Sequence, residues 1–414
     1  MKSLKELTQV YGNIGLLSFG GPAAQIALMH KELVETRDWL TEAQFLRALS
    51  FCMLLPGPEA MQLATYAGWK QRGIVGGLIG GGLFVIPGAI VIGVLALVYG
   101  AFGEVSWIQA LFLGIKATVV VIVLEALIKV SKRALKGRKY YVIAALSFTA
   151  LFFFAVPFPI VIAIAALIGA IGTQVTTPPT QTRLPWAQSG KIIGVGLILW
   201  AIPILIAFAL SQDLLVEIGL FFSKLAVVTF GGAYAVLAYM TQAVVNTNEW
   251  LTTAQMMDAL GLAETTPGPL ILVTQFVAML TGFAQGGVWT AVLAGMLALW
   301  VTFVPCFIWI FAGAPLIDWL EGRPKLNGAL AAITGAVVGV IANLTIWFAL
   351  HVFFGRVLPI QFGPLSTILP DLATLQVIPL GLAALAAVLL LKRHWGLSWV
   401  LMICSGVSLL IASL

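Results

Sequence analysis

The sequence predicts an all-α polytopic membrane protein built from two homologous halves of inverted topology, with helices that break or re-enter the membrane at paired glycine–proline motifs. Three observations carry this prediction. Of the 414 residues 61% are hydrophobic and only 9% charged, with mean hydropathy +1.05, far from the composition of a soluble globular domain. Apolar runs long enough to span a ~30 Å hydrocarbon core recur along nearly the whole chain, and no long polar block separates them. Finally, Pro56-Gly57-Pro58 recurs 211 residues later as Pro267-Gly268-Pro269. Proline removes a backbone donor and glycine weakens a helix, so each triplet should split an apolar segment into two half-helices.

Taken in order, Leu4 to Glu35 is mostly apolar and is interrupted at Phe19-Gly20-Gly21-Pro22. Met1 to Val10 lacks a compact apolar core with a small-residue cleavage site, so it reads as retained rather than as a cleaved signal peptide. The polar stretch His30 to Glu42 follows, then Phe45 to Trp69 with the first Pro-Gly-Pro. Uninterrupted runs come next: Gly73 to Phe102 with Pro87 inside, Trp107 to Val130, Tyr140 to Val156 and Phe158 to Gln174. Val175 to Ser189, with Pro178, Pro179 and Pro185, holds no membrane helix and reads as a linker. These features define a first repeat over 1–174, a linker over 175–189, an additional connecting transmembrane helix over 190–211 and a second, inverted repeat over 212–414.

The second repeat restates the first at the same shift. Phe230-Gly231-Gly232 matches Phe19-Gly20-Gly21, Trp250-Leu251-Thr252 matches Trp39-Leu40-Thr41, and Ala254-Gln255 matches Ala43-Gln44. Ten of the 20 positions paired between Trp39 and Pro58 are identical, more than shared apolar composition explains. Further on the shift grows to 218, pairing Pro87 with Pro305, and spans near Thr374 to Leu391 and Gly396 to Leu414 complete the copy. If each copy crosses an even number of times, the one additional span inverts the second relative to the first. Charge agrees with this. Lys129, Lys132, Arg133, Lys136, Arg138 and Lys139 fill one connection, whereas its counterpart, Phe354 to Leu372, holds only Arg356 and Asp371; conversely the uncharged turn at Val156 to Pro159 corresponds to Lys392-Arg393-His394. Under the positive-inside rule this puts the N-terminus in the cytoplasm and the C-terminus outside. The net charge of +6 is therefore a topology signal and not a nucleic-acid surface.

A helix restarting after Pro58 or Pro269 turns unpaired N–H groups and its positive dipole end towards the break, as an anion site requires. Glycines 20, 21, 231 and 232 permit close backbone approach to an ion or, equally, to a neighbouring helix. Charges within apolar segments are candidates by default. Lys116 lies about ten residues, ~15 Å, from either end of its run, beyond easy snorkelling reach. Arg47 and Lys224 are secondary cations whose alternative role is interfacial, and Gln25, Gln62 and Gln275 either orient an oxyanion or hold helices together. Glu59, directly after Pro58, and Glu264, three residues before Pro267, are candidates for proton coupling, although a carboxylate at a helix start also serves as a cap. Cys52, Cys306 and Cys404 and the three histidines are scattered, so no metal, disulfide or cofactor site is expected, and no GxxxxGK[ST] sequence points to an ATP-driven pump.

Two copies of an FGG motif, each followed by a PGP motif, resemble the long-chain chromate ion transporter (CHR) family over essentially the whole chain. The resemblance implies an inner-membrane protein of about 13 membrane segments that exports chromate and confers resistance to it. Carried over by position, the family signature falls on Phe19, Gly20, Gly21, Pro22, Pro56, Gly57 and Pro58, and on Phe230, Gly231, Gly232, Pro267, Gly268 and Pro269; Ala233 stands where a second copy of Pro22 would be. The expected function is thus a secondary transporter, not an enzyme, moving chromate or a similar oxyanion, with protons or another counter-ion as coupling partner, the lipid bilayer as its environment and a homodimer as an admissible assembly. A passive oxyanion channel, or a transporter of sulfate, a tetrahedral dianion like chromate, is the alternative.

Overall fold

A computed structural model describes residues 2–19, 21–173, 186–230, 233–317 and 323–413. Fifteen α-helices are named here: α1 (Leu4–Leu17), α2 (Gly21–His30), α3 (Glu42–Cys52), α4 (Glu59–Phe102), α5 (Ser106–Ala134), α6 (Arg138–Phe154), α7 (Phe158–Ile171), α8 (Trp186–Ala209), α9 (Asp213–Val228), α10 (Ala233–Gln242), α11 (Thr253–Thr265), α12 (Val273–Gly313), α13 (Pro324–Phe353), α14 (Val377–Ala387) and α15 (Leu397–Ser413). Five of the described helical segments are long and apolar enough to cross a bilayer, among them Ser189–Ala209, which is barely buried within the protein and turns apolar side chains such as Ile198 and Leu205 outward. The protein is an all-α polytopic membrane protein, one connection excepted. Between α13 and α14, where only a loop is expected, β1 (Val357–Phe362) pairs antiparallel with β2 (Leu365–Pro370). The reason is local: Gly363, at φ +57, takes the first position of a two-residue hairpin turn, which requires a left-handed residue.

The chain forms two compact units, each drawing on sequence from both sides of the expected linker, most of which lies outside the described residues. The first unit comprises Met1–Ala101, Val175–Ala233 and Thr266–Arg323. In it α12 packs on α8 and α9. Two reciprocal bonds tie α8 to α12: Trp200 donates its indole N–H to the Val301 carbonyl and Trp300 donates to that of Leu199, both at 2.9 Å. α4 is two helices folded back at Arg72–Gly73, where Gly73 has φ +59, and α12 folds back likewise at Gly287, φ +71. The arms of the α4 hairpin touch backbone to backbone, since a Cβ on Gly68 would overlap the Gly76 carbonyl. Close approach of this kind gives dispersion contacts in lipid, where no hydrophobic drive joins helices.

The second unit comprises Phe102–Gln174, Tyr234–Thr265 and Pro324–Leu414. Here α13 packs on α5, α6 and α7, while α5 also packs on α11, α14 and α15. Ser408 of α15 donates to the Ala110 carbonyl of α5 at 2.6 Å. At the α5 end Lys129 pairs with Glu125 at 2.5 Å, as their spacing predicts.

Candidate functional site

Helical order stops at Leu17, Cys52, Val228 and Thr265 and resumes at Gly21, Glu59, Ala233 and, through a short 3-10 turn at Leu270–Leu272, Val273. Two of these gaps hold the Pro-Gly-Pro triplets, whose glycines take backbone angles that L side chains avoid: φ is +119 at Gly57 and +89 at Gly268. Side-chain space at Gly57 is closed as well, because a Cβ there would lie 2.8 Å from Cys306 Sγ and from Gln62 Nε2.

The triplets are pinned by a reciprocal pair of hydrogen bonds in the first unit. Gly57 donates its N–H to the Thr229 carbonyl at 2.8 Å, and Gly268 donates to the Ser18 carbonyl at 2.9 Å. Both donors and both acceptors are related by 211 residues. Ser18 and Thr229 each turn their hydroxyl back onto their own helix, donating to the carbonyls of Ile14 at 2.5 Å and Leu225 at 2.6 Å. Each copy's triplet is therefore held by the residue immediately before the other copy's FGG motif. The side-chain amides do not follow this symmetry. Gln25 donates to the Gly268 carbonyl at 2.7 Å and Gln62 to that of Pro56 at 2.7 Å, whereas Val236 and Val273 occupy the equivalent places in the second copy. Gln275 donates to the Ala89 carbonyl at 3.0 Å.

Around these bonds lies a small pocket of about 10 Å³ lined by Pro22, Gln25, Pro58, Glu59, Ala60, Pro269 and Leu270. Its walls are the starts of α2, of α4 and of the turn Leu270–Leu272 that leads into α12. The first intrahelical bond of α4 is Gln62 N–H to Pro58 O at 3.1 Å, so the N–H groups at 59–61 precede the helical ladder and supply the positive end of the dipole. Glu59 sits half-buried at this end and Gln25 is fully buried, its amide oxygen without a hydrogen-bond partner. The chemistry on offer is backbone N–H donation to an anion, with one carboxylate competing for the same positive potential.

Of the residues singled out from sequence, Pro22, Gln25, Pro58, Glu59 and Pro269 line this pocket, and Gly21, Pro56, Gly57, Gln62, Pro267 and Gly268 belong to the segments around it. Gly20, Gly231 and Gly232 lie outside the described residues. Arg47 on α3 and Lys224 on α9 are exposed side chains. Lys116 and Glu264 belong to the second unit. There the Lys116 ammonium lies 3.0 Å from an Asp258 carboxylate oxygen, an ion pair whose two side chains are 16% and 7% exposed, and Glu264 accepts a hydrogen bond from Tyr234. Sequence reasoning missed Ser18, Thr229 and Asp258. The signal for the first two was a hydroxyl preceding both FGG motifs; for Asp258 it was the same rule that selected Lys116, a charge within an apolar segment. Among the described residues no group of three or more His, Cys, Asp or Glu side chains forms a metal site.

A family model described as chromate transporter matches residues 5–170 and 216–410. The chain is 31% identical over 355 residues to a probable chromate transport protein of Synechococcus elongatus, covering 83% of this chain and 84% of that one. It is 30% identical over 354 residues to a chromate transport protein of Cupriavidus metallidurans, covering 84% and 83%, and 28% identical over 360 residues to one of Pseudomonas aeruginosa, covering 83% and 80%. No solved structure matches significantly. A family model that accounts for most of the residues, in two segments separated by the additional helix, and relatives aligned over more than four-fifths of their length lead to one conclusion: this chain belongs to the chromate transporter family.

Proposed function

We propose that this protein is a secondary transporter that exports chromate, or a related tetrahedral oxyanion such as sulfate, across the cytoplasmic membrane by alternating access between two inverted halves. The halves are 1–174 and 212–414, joined by the linker 175–189 and the connecting helix 190–211, with about 13 membrane segments in all, the N-terminus in the cytoplasm and the C-terminus outside. One observation carries the reading: the reciprocal bonds from Gly57 to Thr229 and from Gly268 to Ser18 bring two half-helix starts to one pocket, so that each copy supplies half of one anion site. The relatives' names and the separate matches of the family model to 5–170 and 216–410 support it.

At about 10 Å³ the pocket holds roughly one water, so a tetrahedral oxyanion enters only if the triplets separate. That requirement is what a transporter, as opposed to an open pore, needs. The proposed binding groups are the N–H donors at Gly20, Gly21 and after Pro58, and their counterparts at Gly231, Gly232 and after Pro269, with Pro22, Pro56, Gly57, Pro267 and Gly268 shaping the breaks. Glu59 occupies the positive end of α4 and must be protonated or displaced when a dianion arrives, which couples proton uptake to anion binding. In the second unit Glu264 is a second coupling candidate, and Lys116 is the proposed cation for anion handling, its charge released only when Asp258 lets go.

The test is chromate flux into inside-out proteoliposomes. Gly57→Ala and Gly268→Ala force an L residue into φ +119 and φ +89, a strain of about 1–3 kcal/mol each, and should lower flux about tenfold or more with the protein still folded. Unchanged flux in both variants would place the anion elsewhere. Accumulation against a chromate gradient separates a coupled transporter from a channel, which only equilibrates its ion.

A further inference from the structure

The second unit contains a cavity of about 360 Å³ that nothing in the motifs anticipates. Its polar lining includes Thr241 and Gln242 of α10, Asn246, Thr253 of α11, Asn343 of α13 and Thr367 of β2. The Thr241 and Thr367 hydroxyls are buried without a hydrogen-bond partner, and Thr241 is 2% exposed. Those two hydroxyls are closed off from the cavity; the donors open to it are the exposed amides of Gln242 and Asn246 and the half-buried Asn343 and Thr253. Trp347 and His351 add an aromatic side, their rings 4.3 Å apart, with His351 Nδ1 against the Trp347 carbonyl at 2.8 Å and Nε2 left over. No Asp, Glu, Lys or Arg is among the lining residues.

We propose that this cavity is a second, low-affinity oxyanion site that holds the transported anion partly hydrated. This rests on the oxyanion reading above. On the measure by which the pocket at the triplets holds one water, the cavity has room for at least about a dozen, which suits an anion that keeps part of its hydration shell. Hydroxyl and amide donors replace the rest of the shell without a counter-charge. An ion held that way leaves readily, as a site on a permeation route requires. The absence of carboxylates in the lining removes the like-charge repulsion that would exclude an anion.

Equilibrium dialysis of labelled chromate against the purified, detergent-solubilised full chain tests this. Two binding phases are expected. Gln242→Leu/Asn343→Leu should weaken only the looser phase, by about tenfold for two neutral hydrogen bonds lost. Asn343→Asp, which changes charge at constant size, should abolish that phase, and Ser366→Ala, on the peripheral hairpin, provides a variant outside the helices. A looser phase that is missing in the unmodified chain, or that survives in both Asn343→Asp and Ser366→Ala, overturns the proposal, as does displacement by the neutral polyol inositol but not by sulfate. Loss of the tighter phase alone from the unmodified chain counts against the pocket at the triplets, so the two readings fail separately.

Discussion

Asp258 of α11 and Lys116 of α5 face each other inside the second unit, and each makes the other tolerable. At 3.0 Å the attraction offsets two desolvation penalties that neither could carry alone. Asp258→Asn should therefore leave an uncompensated buried ammonium and cost about 3–5 kcal/mol, read as a lowered unfolding midpoint in detergent; Lys116→Met/Asp258→Leu should recover most of it. If the single variant unfolds no earlier than the unmodified chain, the pair is not structural. Lys116 was legible in the sequence because a charge amid apolar residues stands out. Its partnership was not, because the equivalent position in the first copy is Arg47, of opposite sign, so the repeat gave no hint of a carboxylate on α11. A different pair operates in the polar connection after α2, where His30 meets Glu42 at 2.6 Å and Glu35 at 3.1 Å. The hydrogen bond that His30 Nε2–H donates to the Glu42 carboxylate raises the His30 pKa above its ordinary value near 6.5. Its contribution is complete below that ordinary value and is lost as pH rises through the raised one. Amide exchange over 30–42 should accelerate across that window, and His30→Gln should show no such step.

At the scale of elements, the repeated Trp-Leu-Thr-x-Ala-Gln is more than a sequence coincidence. Thr41 and Gln44 exchange side-chain-to-backbone hydrogen bonds at the start of α3, and Thr252 and Gln255 do the same at the start of α11. Asp38 and Glu249, also equivalent, both sit at φ +50 ahead of these caps, and a π turn precedes each, at Lys31–Glu35 and Ala243–Thr247. Thr252→Ala should cost about 1 kcal/mol, and Thr41→Ala about the same, measured by thermal unfolding; a larger loss at only one would show that the two caps carry unequal loads. The repetition was visible in the residues, and a Thr-x-x-Gln spacing was enough to read the caps. The reversal at Gly73 was readable as the gap between Phe45–Trp69 and Gly73–Phe102, which Lys70-Gln71-Arg72 marks; the one at Gly287 was not, because glycine is common in membrane helices and no charge stands at that turn.

For the molecule as a whole, composition alone settled the membrane class, while the hairpin at 357–370 escaped notice because a short stretch of mixed apolar and polar residues does not distinguish strand from loop. The proposed topology predicts that single cysteines placed at Gly137, in the basic connection, and at Gly363, in the hairpin turn, react with an impermeant maleimide from opposite sides, the first from the cytoplasm and the second from outside. Labelling of both from one side would rule out the inverted arrangement. The two glycine-to-carbonyl bonds carry one more consequence. Neither repeat can satisfy its own triplet: Gly57 needs an acceptor from beyond the linker, and Gly268 needs one from before it. What the protein requires is the company of both copies, each lending the other the acceptor it lacks.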